Sequence, residues 1–185
     1  VLLHDGDLLL GLVQQLAEGR GQLGALLKQL HAFVQRRFTA LEHRIEACGA
    51  VGGVECYNDS KATNVDATLK ALSAFAPHTA IFLLGGNDKG TDLDELVEAC
   101  DAKCKAVVCF GAAGERFFDA FANAGVKHVR VEHMEDALDT AISMAQPGDE
   151  VVLSPACSSF DEFDSFEHRG KVFKQLVAFR ASNAR

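Results

Sequence analysis

Short apolar runs alternate with amphipathic segments along the chain after about residue 44. Each run has the length of a β-strand and is rich in apolar or β-branched residues, as expected when both faces of a parallel sheet are covered. The runs lie near Val54–Tyr57, Ala80–Leu84, Ala106–Phe110, Val126–Val131 and Glu150–Leu153. This alternation predicts β-α-β units and an α/β domain with an open, mostly parallel sheet that carries helices on both faces.

The segments between these runs predict helices. Asn64 is a typical N-cap residue, and apolar side chains recur at helical spacing over residues 65–75. A second helix is predicted from Met134 to Ala145, and a last one around Phe173–Val177.

The first part of the chain is different. Residues 1–21 follow no clear period, and Leu23–Phe38 has helical spacing. We interpret residues 1–41 as the helical end of a preceding domain and residues 42–185 as the domain that carries the sheet.

Charge and cysteine content narrow the function classes. The 185-residue chain has a net charge of −8, which makes nucleic acid an unfavourable partner. No apolar run approaches the ~20 residues of a membrane span, and the start lacks the basic region of a signal peptide. The six cysteines show no metal-binding or paired spacing, so we expect reduced thiols and a cytoplasmic protein.

Three polar loops follow predicted strands, at the sheet edge where ligands of open parallel sheets bind. They are residues 58–64 (Asn-Asp-Ser-Lys-Ala-Thr-Asn), residues 85–92 (Gly-Gly-Asn-Asp-Lys-Gly-Thr-Asp) and residues 154–161 (Ser-Pro-Ala-Cys-Ser-Ser-Phe-Asp). We call them loops 1, 2 and 3 and expect them to meet on one edge. Lys61 and Lys89 then favour an anion site beside helix N-termini, although the alternative of two solvated loop lysines is about equally supported by spacing.

Other candidate chemistry is less supported. The chain contains neither a P-loop nor a Gly-x-Ser-x-Gly motif, so a packed Cys157 is favoured over a nucleophile paired with His168. The series Phe160, Phe163, Phe166 and Phe173 is interpreted as core, and Asp161, Glu162, Asp164 and Glu167 as a solvated acidic face.

Together and in order, the loops and the segment before them resemble the C-terminal domain of the Mur ligases, and within that family its D-glutamate-adding members. The matching segments are Leu41–Arg44, Asn58–Thr68, Gly85–Asp92 and Ser154–Gly170, and the resemblance covers about three quarters of the chain. It implies a Rossmann-like sheet that binds no dinucleotide.

The resemblance also implies an activity. In the family, ATP with Mg²⁺ activates the carboxylate of UDP-N-acetylmuramoyl-L-alanine as an acyl phosphate, which the D-glutamate amine attacks, in cytoplasmic peptidoglycan precursor synthesis. By resemblance, D-glutamate would contact Thr63, Lys89, Ser159 and Phe166. The ATP site would include His43, Arg44, Asp59 and Lys61.

The resemblance has limits that matter for activity. The family's P-loop and magnesium ligands belong to a central domain, and its UDP site to an N-terminal domain, neither of which is found in these 185 residues. We therefore expect a D-glutamate-binding half-site, with no catalytic residue or metal site of its own, no tightly bound cofactor, and no turnover alone. The alternative function is a non-catalytic α/β module that binds a small anion or docks on a partner protein.

Overall fold

The computed structural model describes residues 42–184. The strands in this range are β1 (Glu46–Val51), β2 (Val54–Asn58), β3 (Ala80–Gly85), β4 (Ala106–Phe110), β5 (Lys127–Arg130) and β6 (Glu150–Ala156). The helices are α1 (Val65–Leu72), α2 (Asp94–Lys103), α3 (Gly114–Ala120), α4 (Met134–Met144) and α5 (Phe166–Asn183).

The strands form one sheet in the order β1-β2-β6-β3-β4-β5. Only β1 runs antiparallel to its neighbour, and the other neighbouring pairs are parallel. The predicted α/β fold with a mostly parallel sheet is confirmed. The edge strand β1 was not predicted, because its glycine, alanine and half-exposed residues give no continuous apolar run.

Helices cover both faces of the sheet, as predicted. Side chains alternate along β3, so Ile81 and Leu83 pack toward α4 and α5, while Phe82 and Leu84 pack toward α1, α2 and α3. All four side chains are fully buried. Burial of a side chain of this size stabilises a fold by about 1.5–3 kcal/mol, so these central strands hold the two helical layers together.

Helix ends decide where the loops begin and end. The Asn64 side chain accepts a hydrogen bond from the Ala67 N–H at 2.9 Å, which confirms the predicted N-cap of α1. Helix α5 begins at Phe166, seven residues before the predicted apolar segment, and Ser165 caps it by accepting from the His168 N–H at 3.1 Å. Its first turn is polar, which is why the apolar pattern did not reveal it.

The predicted helix over Leu23–Phe38 lies outside the described residues, and the domain boundary at residue 41 stays a prediction. Within residues 42–184, no helix is both long and apolar enough to cross a membrane.

Candidate functional site

The three polar loops meet at one edge of the sheet. They follow β2, β3 and β6, which are neighbours in the sheet and end on the same side. The Asn87 N–H in loop 2 donates to the Ser158 carbonyl in loop 3 at 2.9 Å. The Lys89 ammonium in loop 2 donates to the Thr63 carbonyl in loop 1 at 3.4 Å. The predicted convergence is confirmed.

A buried arginine, Arg169 in the first turn of α5, joins the loops. Its Nε donates to Ser60 Oγ at 2.9 Å, and its terminal nitrogens donate to the carbonyls of Ser60, Cys157 and Ser158 at 3.0–3.1 Å. The side chain is fully buried, and burial lowers its pKa to about 10. One guanidinium therefore fixes loop 1 against loop 3.

Loop 2 lies against the same arginine. A Cβ added to Gly86 would stand 3.0 Å from an Arg169 terminal nitrogen and 2.4 Å from the Ser158 carbonyl oxygen. Arg169 was not among the predicted site residues. The sequence did contain a sign that Arg169 is buried, because it lies on the same helix face as Phe166, Phe173 and Val177.

A cleft of about 280 Å³ opens beside loop 1 and the start of α1. Its lining includes Arg44, Asp59 and Lys61, three of the four residues predicted for the ATP site, and adds Lys70, which the sequence analysis did not include. The cleft contains the first turn of α1, whose free N–H groups favour anions, and three cationic side chains, of which Lys70 lies in the last turn of the helix. The arrangement can therefore hold a phosphorylated ligand.

Asp59 lies at the inner wall of this cleft and is only 4% exposed. Its carboxylate accepts from the Ile45 N–H at 3.2 Å and from Ser154 Oγ at 2.7 Å. Burial raises the pKa of Asp59 to about 6, although these two donors and the Arg44 charge favour the ionised form. A carboxylate retained at this cost is typical of a functional site.

Asp59→Asn is expected to make the domain more stable by about 2 kcal/mol at pH 7.5. The native state binds the Asp59 proton more tightly than the unfolded chain does, because the folded pKa of about 6 exceeds the ordinary 3.8. Stability is therefore lost as the pH rises from about 4 to about 6, and the loss persists above that range. Urea unfolding from pH 4 to pH 8 measures this dependence.

The matched control is Asp66→Asn, an exposed carboxylate in the same cleft. It should leave the pH dependence unchanged, whereas Asp59→Asn should flatten it. If Asp59→Asn and the unsubstituted chain show the same dependence of unfolding on pH, the buried Asp59 carboxylate does not destabilise the domain.

His43, the fourth residue predicted for the ATP site, does not line the cleft. The residue is buried, 5% exposed. The ring lies edge-on to Phe166 with 6.1 Å between ring centroids. Arg44, Asp59 and Lys61 therefore line the cleft together, and the His43 side chain does not.

The residues predicted for D-glutamate lie around the adjoining part of the loops. Thr63 and Lys89 are in contact, as described above. Ser159 is 2% exposed, and its hydroxyl makes no hydrogen bond within residues 42–184, so it is free to bind a ligand. The Phe166 ring faces the Lys61 ammonium, which lies 5.6 Å from the ring centroid.

Phe166 and Lys61 therefore connect the two predicted sets of ligand contacts. The Phe166 carbonyl also accepts from Ser60 Oγ at 2.8 Å, so the start of α5 is tied to loop 1. Contacts therefore connect members of both predicted sets, namely Lys61, Thr63, Phe166 and Lys89, and which ligand each residue contacts stays a prediction.

Two acidic residues, one at the end of loop 3 and one directly after it, are not in the environment that we expected. Asp161 accepts from the Ala112 N–H at 3.0 Å, and Glu162 accepts from the Met134 N–H at 3.2 Å. The interpretation of these two as a solvated face was wrong, because they satisfy free N–H groups before α3 and α4. They attach this part of the chain to the segments that follow β4 and β5.

The burial of Phe160, Phe173 and Cys157 can be compared with the sequence expectations. Phe160 is 70% exposed, so its assignment to the core was wrong, while Phe173 is fully buried as predicted. Cys157 is buried, and burial raises the pKa of its thiol to about 12, which confirms the packed residue over a nucleophile.

The fold and this edge define an α/β domain in which polar loops follow neighbouring strands and one of them lines a cleft with cationic side chains. The family described as "Mur ligase, glutamate ligase domain" matches residues 43–157, and the chain belongs to it. The family consists of amide-forming ligases.

Relatives of known sequence agree with this assignment. The UDP-N-acetylmuramoylalanine–D-glutamate ligase of Solibacter usitatus is 49% identical over 142 residues, which are 77% of this chain and 32% of that protein. The ligase of the same name from Shouchella clausii is 42% identical over 154 residues, 83% of this chain and 34% of that protein. The chain thus spans about a third of the length of these curated relatives.

Solved structures show the same fold. A murein peptide ligase from Psychrobacter arcticus has a TM-score of 0.56 at 13% identity, covering 80% of this chain and 31% of that one. A folylpolyglutamate synthase from Mycobacterium tuberculosis has a TM-score of 0.54 at 15% identity, covering 74% and 32%. At these identities the likeness concerns the fold alone.

Proposed function

We propose that this chain is the D-glutamate-binding domain of an ATP-dependent ligase that joins D-glutamate to UDP-N-acetylmuramoyl-L-alanine in cytoplasmic peptidoglycan precursor synthesis. The observation that carries the proposal is that Lys89 contacts Thr63 beside the cleft that Arg44, Lys61 and Lys70 line. The names of the relatives at 42–49% identity point to the same reaction.

The amino-acid subsite is proposed around loops 2 and 3. Lys89 is exposed, and apart from the Thr63 carbonyl it makes no hydrogen bond within residues 42–184, so its charge is available to a carboxylate of D-glutamate. The free Ser159 hydroxyl supplies a donor, and Phe166 supplies an apolar wall. A dicarboxylic amino acid suits this combination of one cation, hydroxyl donors and an aromatic ring.

The nucleotide subsite is proposed in the adjoining cleft. Arg44 and Lys61 would face phosphate oxygens, and Asp59 would accept from a ribose hydroxyl. ATP would supply the phosphoryl group that activates the carboxylate of the first substrate. The residues of this chain would bind the ligands, orient the D-glutamate amine and stabilise negative charge, which is catalysis by positioning.

The longer relatives contain segments that lie outside the match to this chain, and we propose that those segments supply the remaining parts of the reaction. We propose that a P-loop, the magnesium ligands and the site for UDP-N-acetylmuramoyl-L-alanine are supplied there. This domain would then close over both ligands as a half-site, and no turnover is expected from the 185 residues alone.

Lys89→Ala is expected to weaken D-glutamate binding by about 1.5–3 kcal/mol, because it removes a charge-assisted contact. The measurement is an NMR titration of the 185-residue chain with D-glutamate and, separately, L-glutamate. Saturable shifts at the amides of Thr63, Lys89 and Ser159 are expected with D-glutamate only.

The matched control is Lys127→Ala, an exposed lysine on β5, which should bind as the unsubstituted chain does. Equal affinity of Lys89→Ala and Lys127→Ala would remove Lys89 from the subsite. Equal responses to inorganic phosphate and to both glutamates would favour the non-catalytic anion-binding module instead.

A further inference from the structure

His43 is placed to hold other residues rather than to contact a ligand. Its ring is 5% exposed and does not line the cleft. Its carbonyl accepts from the Lys61 N–H at 3.0 Å, and its ring packs edge-on against Phe166. His43 therefore contacts one residue of each proposed subsite.

The hydrogen bonds of Asn58 fix the tautomer of the His43 ring. Asn58 Oδ1 accepts from the Ser60 N–H at 3.1 Å, which identifies the oxygen of the amide. Asn58 Nδ2 is therefore the donor, and it lies 2.9 Å from His43 Nδ1 and 3.2 Å from Glu46 Oε2. Because Nδ1 must accept, the ring carries its hydrogen on Nε2.

Glu46 and Lys174 complete this arrangement. Glu46 Oε2 also accepts from the His43 N–H at 3.0 Å, so one carboxylate holds both His43 and its partner Asn58. Lys174 in α5 donates to the two oxygens of Glu46 at 3.0 and 3.3 Å. A partly buried chain of hydrogen bonds thus runs from α5 to loop 1.

Gly170 shows how closely α5 packs on this network. A Cβ at this position would stand 2.2 Å from His43 Nδ1 and 2.9 Å from the Asn58 amide. The helix therefore adds a steric wall to the hydrogen bonds, and the ring has little freedom to turn.

We propose that His43 is a positioning residue, held as its Nε2–H tautomer by Asn58, Glu46 and Lys174, which sets Lys61 and Phe166 in place across the two subsites. This inference rests on the proposed function for the identity of the ligands. The tautomer and the hydrogen bond to Lys61 do not depend on it, so they can be tested separately.

The decisive variant is Asn58→Asp, which replaces the amide donor with an acceptor of the same shape. The ¹⁵N–¹H long-range spectrum of the histidine rings in the 185-residue chain should show Nδ1 of His43 unprotonated before substitution and protonated afterwards. The Lys61 amide should exchange faster with solvent, and the Phe166 ring resonances should move. Asn123→Asp, at an exposed asparagine, is the control and should change none of these signals.

Ligand titrations separate positioning from direct contact. Asn58→Asp should weaken D-glutamate and ATP binding together, each by about tenfold, since Lys61 and Phe166 both move. Loss of ATP affinity alone would overturn the proposal in favour of a direct nucleotide contact. If the unsubstituted chain binds neither probe, the proposed subsites do not bind their ligands in the isolated domain, while the ring spectrum still decides the tautomer.

Two results keep the proposal testable if Asn58→Asp does not fold. An Nδ1–H ring in the unsubstituted chain overturns it at once. The milder Glu46→Gln should leave the tautomer unchanged and speed exchange at the Lys61 amide, and unchanged exchange there would overturn the role of Glu46.

Discussion

Arg169→Met is expected to destabilise the domain by about 2–6 kcal/mol and to release loops 1 and 3 from each other. Methionine fills much of the space but donates no hydrogen bond. The carbonyls of Ser60 and Cys157 would then be left buried without their donor, and each such group costs about 1–3 kcal/mol. The Ser158 carbonyl would keep the hydrogen bond from the Asn87 N–H. Urea unfolding gives the stability, and amide exchange in both loops gives their release.

The control for this result is Arg130→Met. Arg130 is half-exposed, and its ion pair with Glu115 at 3.8 Å is a surface contact worth about 0–1 kcal/mol. Arg169→Lys tests the geometry of the guanidinium, because one ammonium cannot reach all four acceptors. Stability within about 1 kcal/mol of the unsubstituted chain for Arg169→Met would contradict the anchoring role.

Gly85→Ala is expected to cost at least about 3 kcal/mol and to displace loop 2. Gly85 ends β3 with φ +141°, a conformation that L side chains rarely adopt. A Cβ there would stand 1.9 Å from the Phe110 carbonyl oxygen, which belongs to the neighbouring strand β4 and cannot move without breaking the sheet. Thermal and urea unfolding measure the loss.

Gly90→Ala separates the two causes of this loss. Gly90 also has a positive φ, of +68°, but a Cβ there meets nothing within 4 Å. Its substitution should cost about 1 kcal/mol from backbone conformation alone. If the two variants lose equal stability, the close approach to Phe110 is not the cause of the cost at Gly85.

Both predictions concern how the binding edge is built. Loop 2 leaves β3 at Gly85, where there is no space for a side chain. Loops 1 and 3 both accept hydrogen bonds from the Arg169 guanidinium of α5. Proposed ligand contacts such as Lys61 and Lys89 are exposed, whereas the groups that hold their loops are buried. The stability of the domain and the geometry of its site are therefore maintained by the same few residues.

Local patterns along the chain were enough to predict the class of fold and the edge of the sheet where the candidate site lies. Runs such as Ala80–Leu84 are continuously apolar because parallel strands are covered on both faces, and that local signal needs no tertiary information. The loops after them had to share an edge, because parallel strands end on the same side. Asn64 likewise showed the start of α1 through its own side chain.

Which polar residues are buried, and which groups they hydrogen-bond, depends on packing between distant segments. Arg169 donates to carbonyls from residues about 11 and 109 positions away in the chain, and no local pattern reports such partners. His43 and Arg44 are adjacent in sequence, yet one is buried and the other lines the cleft. Side-chain burial depends on which segments pack together, and hydrogen bonds between distant segments exist only once the chain has folded.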